Sequence, residues 1–262
     1  MIIANKWKNF TSPARPSISE LEIFERYIAE VAKRPNSRIL VMGSTPEFRD
    51  LTMKYGCKAT VVDFSEDIYR ALTLLLKEKG EEEFIHSDWL QMPENQKYDL
   101  VLGDGVPNML PWEKWDSLLG KIAAVLKPDG ISVQRVYSSY TIVNEEALLD
   151  KIREWRVSKP PATFINWAMW SIMLNDVLKH GMFDYPRSAE YLKGLLERGL
   201  ITQQEFTEWE RLSNPIKICV PRRFDADIEI SKHLSIRGIF FGTEPHLGNI
   251  GPIYVCGRRE PR

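Results

Sequence analysis

Four positions along the first half of the chain each combine a glycine or an acid with the end of a short apolar run. They are Gly43 after Ile39-Leu40-Val41-Met42, Asp63 after Thr60-Val61-Val62, Asp88 after Phe84-Ile85-His86-Ser87, and Gly103-Asp104-Gly105 after Leu100-Val101-Leu102. A glycine at a strand end lets the backbone turn tightly beside a ligand. In Gly43-Ser44-Thr45-Pro46-Glu47, Ser44 and Glu47 have capping-box spacing, and Thr45-Pro46 reads alternatively as N-cap and N1. Either reading points a helix N-terminus at the space above the strand, which suits an anionic group, although a plain capped helix has the same signature. A carboxylate at Asp63 can accept both hydroxyls of a ribose, with Phe64 and Ser65 directly behind it, but an acid there is also a common turn former. Asp88 could take the exocyclic amine of a purine and Trp89 could stack on its ring, unless Trp89 is simply a core aromatic. Asp104, between two glycines, would offer a carboxylate to a cationic ligand group, or make only a tight turn.

Positioning these residues requires alternating strands and helices. Ser17-x-x-Glu20 is a capping box that opens an amphipathic helix ending before Pro35. Strands are predicted at 38–42, 59–63, 83–86, 98–102 and 131–137. Helices are predicted at 46–55, 66–79 and 112–126, with Gly56 and Gly80 after the first two and Lys127-Pro128-Asp129-Gly130 after the third. Continuously apolar strands alternating with helices mean a parallel sheet covered on both faces, so 36–138 reads as a doubly wound α/β core. Ligands of such sheets sit outside the carboxyl ends of the strands, where the four positions lie.

Residues 141–220 break the alternation. Helices are predicted at 144–156, 162–180, 186–198 and 202–212, carrying Trp155, Trp167, Trp170 and Trp209. Extended structure returns after Pro221, with Asp227-Ile228-Glu229-Ile230, 236–241 and 253–256 as strand-like segments around a Gly/Pro-rich loop at 242–252. The division is therefore an N-terminal segment and helix (1–35), a Rossmann-like domain (36–140 and 221–262), and a helical insertion (141–220).

The order of these features resembles the class I S-adenosylmethionine-dependent methyltransferases, and Leu126-Lys127-Pro128-Asp129-Gly130 before the fifth strand is one of the more recognisable pieces. The resemblance covers about 36–138 plus the terminal strands. It implies a mostly parallel, seven-stranded Rossmann-like sheet with an antiparallel edge strand. It implies S-adenosylmethionine as cofactor, held at Gly43, Ser44, Thr45, Glu47, Asp63, Phe64, Ser65, Asp88, Trp89, Gly103 and Asp104. Within that set the first turn would meet the methionine part, Asp63 the ribose and Asp88 the adenine amine, with Gly103–Asp104 beside the methyl group. This first turn is a variant: Val41 stands where the family usually has an acid, and Thr45 and Glu47 where it has glycines. Glu47 is the candidate replacement acid, and Arg15 could reach the cofactor carboxylate.

The reaction so implied is an in-line displacement that the protein promotes mainly by holding the partners in line. A base is needed only for a protonated nucleophile. The candidates are His246 and Asp104, then His180 and His233, with His86 placed less well. The tentative acceptor contacts are Asn108, Arg135, Tyr137 and Trp167. Gly103-Asp104-Gly105-Val106-Pro107-Asn108 is not the Asn/Asp-Pro-Pro-Tyr motif of amino-methylating DNA and glutamine enzymes. No metal-ligand cluster is visible. A small-molecule acceptor is expected, under an aromatic helical lid containing Phe164, Trp167, Met169 and Trp170.

Composition narrows the field further. The 262 residues carry 35 Lys+Arg against 36 Asp+Glu, a net charge of −1. That balance, with short basic pairs such as Arg222-Arg223 and Arg258-Arg259 too sparse for a nucleic-acid surface, argues against a nucleic-acid partner. No apolar run reaches the roughly 18 residues of a membrane span. No signal-peptide pattern is visible, and three separated cysteines suit a reducing compartment, so a cytoplasmic location is expected. Two alternatives stay open: a non-catalytic S-adenosylmethionine-binding module, and a nicotinamide-dependent oxidoreductase. Asp63 is compatible with the latter, but the first turn lacks G-x-G-x-x-G. The oligomeric state is not legible.

Overall fold

The computed structural model describes residues 7–8, 10, 12–141, 143–160, 163–211, 217–244 and 251–259, apart from the side chain of His180. Its centre is a seven-stranded sheet of β1 (Arg38–Met42), β2 (Lys58–Asp63), β3 (Glu82–His86), β4 (Tyr98–Asp104), β5 (Leu126–Arg135), β8 (Leu234–Phe240) and β9 (Ile253–Arg258). The spatial order is β3-β2-β1-β4-β5-β9-β8. The first five strands are parallel, and β9 runs antiparallel to both β5 and β8. The reversed strand therefore lies one place inside the edge. A two-stranded ribbon of β6 (Phe183–Asp184) and β7 (Lys217–Ile218) lies apart from the sheet and was not expected.

Two apolar layers cover the sheet. On one face α1 (Ile18–Ala32) and α2 (Pro46–Lys54) bring Phe24, Ile28 and Phe48 against Ile39, Val41, Leu100, Leu102 and Val133. On the other, α4 (Trp115–Val125) and α9 (Arg223–His233) bring Trp115, Leu118, Ile122, Ala226 and Ile230 against Leu40, Met42, Val101 and Tyr254. Each fully buried aliphatic side chain contributes about 1.5–3 kcal/mol relative to exposure. A third apolar cluster belongs to α5 (Glu145–Ser158), α6 (Phe164–His180), α7 (Tyr185–Glu197) and α8 (Gln203–Glu210), the predicted helical insertion. It also takes in Tyr137, just beyond β5, and packs against Ala14, which seats the helices at the carboxyl end of the sheet.

Three local expectations fail. Asp227-Ile228-Glu229-Ile230 is not a strand but the middle of α9. Its burial follows the helical spacing of Ala226 and Ile230, while Ile228 points outward at 47% exposure. The second predicted helix, 66–79, stops early: α3 is Glu66–Thr73, after which the Asp50 carboxylate accepts from the backbone N–H groups of Lys77 and Glu78 at 2.9 and 3.0 Å. The fifth strand begins at Leu126 rather than Ile131, because Leu126 already pairs with Tyr98 and Lys127-Pro128-Asp129-Gly130 is an irregularity inside the strand before Ile131 pairs with Leu100.

Candidate active site

The carboxyl ends of β1 and β2 form the first part of the site. Gly43 adopts φ +81°, a conformation that favours glycine, and its N–H donates to Val62 O at 2.8 Å. The capping box predicted between Ser44 and Glu47 does not form. Thr45 occupies the N-cap and Pro46 the first turn, with no side-chain cap bond. Ser44 is released from the helix and donates its hydroxyl to Asp63 Oδ2 at 2.6 Å. The other oxygen of Asp63 accepts from Ser65 N at 3.0 Å. Asp63 is thus buried and oriented by two donors at the place expected of it. Ser65 is committed to α3, where its hydroxyl accepts from Ile68 N, and the neighbouring Phe64 ring is exposed.

Glu47 sits in the first turn of α2, where a carboxylate is favoured by the helix dipole. Its Oε1 pairs with Arg15 and accepts from Trp7 Nε1 at 3.3 Å. Its Oε2 is buried without a hydrogen-bond partner among the described residues. A buried carboxylate oxygen left unpaired is costly, so it suits a site completed by a cationic or N–H-bearing group.

The third strand end differs from expectation. Asp88 is exposed and accepts from Leu90 N at 2.8 Å, capping a short 3-10 turn at Trp89–Gln91. Trp89 is a core aromatic: it is buried beneath the first turn, donates Nε1–H to Val62 O at 3.0 Å, and would lie 3.7 Å from a Cβ on Gly43. It supports the Gly43 turn from below.

At the fourth and fifth strand ends the geometry is closed. A Cβ at Gly103 would overlap the Gln134 amide oxygen at 1.9 Å, and one at Gly105 (φ +63°) would meet the Tyr137 ring at 3.0 Å. Asp104 is bound to the fully buried Arg135 guanidinium at 2.5 Å. Arg135 also donates to Glu20 at 2.7 Å, to Pro13 O at 3.1 Å and to the Tyr137 hydroxyl at 3.0 Å. Burial lifts the Asp104 carboxyl above the ordinary carboxylate range; Arg135 opposes this, and the Glu20 and Glu47 charges reinforce it. Burial also lifts the Tyr137 phenol well above its usual value. This cluster ties the N-terminal segment to the strand ends, so Asp104 and Arg135 are committed to structure. Glu20 was legible only as a helix cap, yet the same Oε2 serves both the cap, from Ser17 N at 2.8 Å, and Arg135.

The tentative acceptor contacts fare unevenly. Asn108 is fully buried; it donates to Tyr137 O and Cys219 O, both at 2.7 Å, and accepts from Tyr137 N at 2.8 Å, so it is a strut. Trp167 packs away from the strand ends, donating to Lys151 O at 3.2 Å. Tyr137 stands just beyond β5, edge-on to Trp170 with ring centroids 5.0 Å apart. Among the histidines, His233 pairs with Asp116 at 2.8 Å and His86 contacts Phe64 O at 2.9 Å. His246 lies outside the described residues, as does the side chain of His180.

Comparison with known proteins agrees with this arrangement. A family model described as a methyltransferase domain matches residues 42–130, from the end of β1 to the turn preceding Ile131. No curated protein sequence matches the chain. Among solved structures, a Burkholderia thailandensis 1,6-didemethyltoxoflavin N1-methyltransferase with bound 1,6-didemethyltoxoflavin and S-adenosylhomocysteine is similar at TM-score 0.53 and 11% identity, over 92% of this chain and 78% of that one. The N-methyltransferase NodS of Bradyrhizobium japonicum, in complex with S-adenosylhomocysteine, is similar at TM-score 0.52 and 10% identity, over 93% and 89%. A Rhodobacter sphaeroides protein described as a Zn-dependent alcohol dehydrogenase is similar at TM-score 0.59 and 18% identity, over 98% of both chains. At these identities the likeness is one of fold. The reversed β9 between β5 and β8 separates this sheet from the six-stranded 3-2-1-4-5-6 order of dinucleotide dehydrogenases.

Proposed function

We propose that the chain is a class I S-adenosylmethionine-dependent methyltransferase, a reading supported by its methyltransferase domain and its sheet, and that it methylates a small-molecule acceptor over the carboxyl ends of β4 and β5. The observation that carries this reading is the pairing of an oriented Asp63 with a first turn whose Glu47 keeps one buried oxygen unpartnered. Asp63 would hold the ribose hydroxyls. Glu47 would take the ammonium of the methionine part, with Arg15 near its carboxylate. These residues would fit the cofactor although glycines are missing from the turn, because Ser44 turns back onto Asp63 and, of the described residues, a Cβ on Gly43 would meet only Trp89. When bound, S-adenosylmethionine supplies an electrophilic methyl group on a sulfonium.

The remaining work of the chain is positional. The buried Arg135 cluster holds the N-terminal segment across the strand ends, and Trp170 on α6 closes against Tyr137. Together they would exclude water and align the acceptor. An aromatic cover of this kind, Trp170 against Tyr137, supports a small acceptor over a polymer.

Calorimetric titration with S-adenosylmethionine and S-adenosylhomocysteine tests the reading. Micromolar binding that Asp63→Ala removes is the expected result. A folded wild-type protein that binds neither compound overturns it.

A further inference from the structure

A second group of polar atoms without partners lies at the same end of the sheet, on the far side of β5. Arg223 opens α9 and is only 3% exposed. Its Nε donates to Asp227 Oδ1 at 3.1 Å, and the Tyr254 hydroxyl donates to the same oxygen at 2.5 Å. The guanidinium carbon lies 4.9 Å from the centre of the Tyr254 ring, 5.4 Å from Phe241 and 5.8 Å from Tyr140. Its Nη1 is buried with no hydrogen-bond partner among the described residues. Ser138 is fully buried, with its hydroxyl facing the Tyr254 phenol and, among the described residues, no partner within full hydrogen-bond geometry. Two buried donors thus stand against the two parts of Tyr254, Arg223 over its ring and Ser138 at its hydroxyl.

Two other arginines, Arg38 and Arg49, also have an unpaired nitrogen beside a tyrosine ring. Both stand near the amino ends of strands, Arg38 opening β1 and Arg49 paired with Glu82 at the start of β3, away from the site. Arg223 differs in having three rings around it, a second orphan donor beside it, and a place at the carboxyl end. The register fixes its distance from the chemistry: Gly103 pairs with Gln134 and Gln134 with Tyr254. At about 4.8 Å per strand, Tyr254 is about 10 Å from Gly103. The cover over this group includes Tyr140, 71% exposed, and the half-buried Phe241.

We propose that Arg223 and Ser138 bind a carboxylate on the methyl acceptor, with Tyr140, Phe241 and Tyr254 packing against its apolar or aromatic body. Two N–H and O–H donors with no resident acceptor select an oxyanion, and a guanidinium can serve a second carboxylate beside Asp227 as Arg135 serves both Glu20 and Asp104. Tyr140 is the side chain that turns aside on entry. This assignment rests on the methyltransferase reading of the neighbouring site.

The test uses protein saturated with S-adenosylhomocysteine and titrated with benzoate, phenylacetate and, as the uncharged counterpart, benzyl alcohol. At least one carboxylate binds and benzyl alcohol does not. Arg223→Gln weakens that binding about tenfold or more, and Ser138→Ala, which removes only a hydroxyl, about three- to tenfold. Both variants keep wild-type affinity for S-adenosylhomocysteine. Carboxylates that bind no better than benzyl alcohol, or that bind both variants as tightly as wild type, overturn the proposal. A wild-type protein that fails to bind S-adenosylhomocysteine overturns the cofactor reading, and this proposal with it.

Discussion

Arg135 at the end of β5 donates to Glu20 in the first turn of α1 at 2.7 Å, with both side chains buried. The contact joins residues 115 positions apart and anchors the N-terminal helix at the site. Breaking it leaves Glu20 and Asp104 buried without their cation. Arg135→Met should therefore lower stability by about 3–5 kcal/mol in urea unfolding at pH 8. In the variant the buried Asp104, whose carboxyl burial already lifts, escapes by binding a proton, so the loss should shrink as the pH falls to 5. A loss that is equal at both pH values would show that the carboxylates are not the cause.

Asn108 satisfies three backbone groups that have left regular structure, Tyr137 N, Tyr137 O and Cys219 O. Asn108→Ala should destabilise the fold by about 3 kcal/mol, since each unpaired buried group costs about 1–3 kcal/mol and the gap can admit some water. Equilibrium unfolding measures this directly. Unchanged stability with altered ligand binding would restore Asn108 as an acceptor contact.

Ser44 is expected to act through Asp63. Ser44→Ala removes the 2.6 Å hydrogen bond that orients the carboxylate and should weaken S-adenosylhomocysteine binding by about three- to tenfold. Asp63→Ala should weaken it by a hundredfold or so, because charge-assisted bonds to both ribose hydroxyls would be lost. Calorimetry that finds the two variants equal would break this ordering.

Glu47 offers a chemical test of the variant first turn. Glu47→Gln keeps the shape but removes the charge facing the ammonium, so affinity should fall about tenfold while the fold is retained. Equal affinity of wild type and variant for S-adenosylhomocysteine would assign Glu47 solely to its pairing with Arg15.

The thiols should be inert in the native state. Burial pushes Cys219 up to about 11 and Cys256 up to about 12, and it also raises Cys57. A native pKa above the unfolded value of about 8.5 leaves stability intact below that pH and erodes it as the pH rises towards the native value. The thermal midpoint should thus fall between pH 8.5 and about 10.5. A thiol reagent at pH 8 should label no cysteine before unfolding and all three after it. Rapid labelling of the native protein would contradict the burial.

Much of the architecture is local in origin and therefore readable from the chain. The apolar runs of β1, β2 and β4, the Ser17–Glu20 capping box and the Thr45-Pro46 helix start are formed by neighbours in sequence, and Gly43 and Asp63 follow because strand ends are where such sheets bind ligands. Alternation misled at 227–230, where the helical face of Ala226 and Ile230 prevailed because α4 was there to receive it. What side chains do across long separations was decided only by the tertiary structure. Ser44 could cap its own helix or reach Asp63, Asp104 could face a ligand or an arginine, and Trp89 could stack on a purine or brace Gly43. Each choice was settled by a partner on another strand or helix. The basic pair Arg222-Arg223 shows the same division: its composition suggested a sparse surface charge, whereas packing put Arg222 in solvent and buried Arg223 among three aromatic rings. Sequence spacing carries the periodic forces that build elements, but a buried polar group takes whichever partner the assembled layers bring within reach, because leaving it unpaired costs more than any local preference.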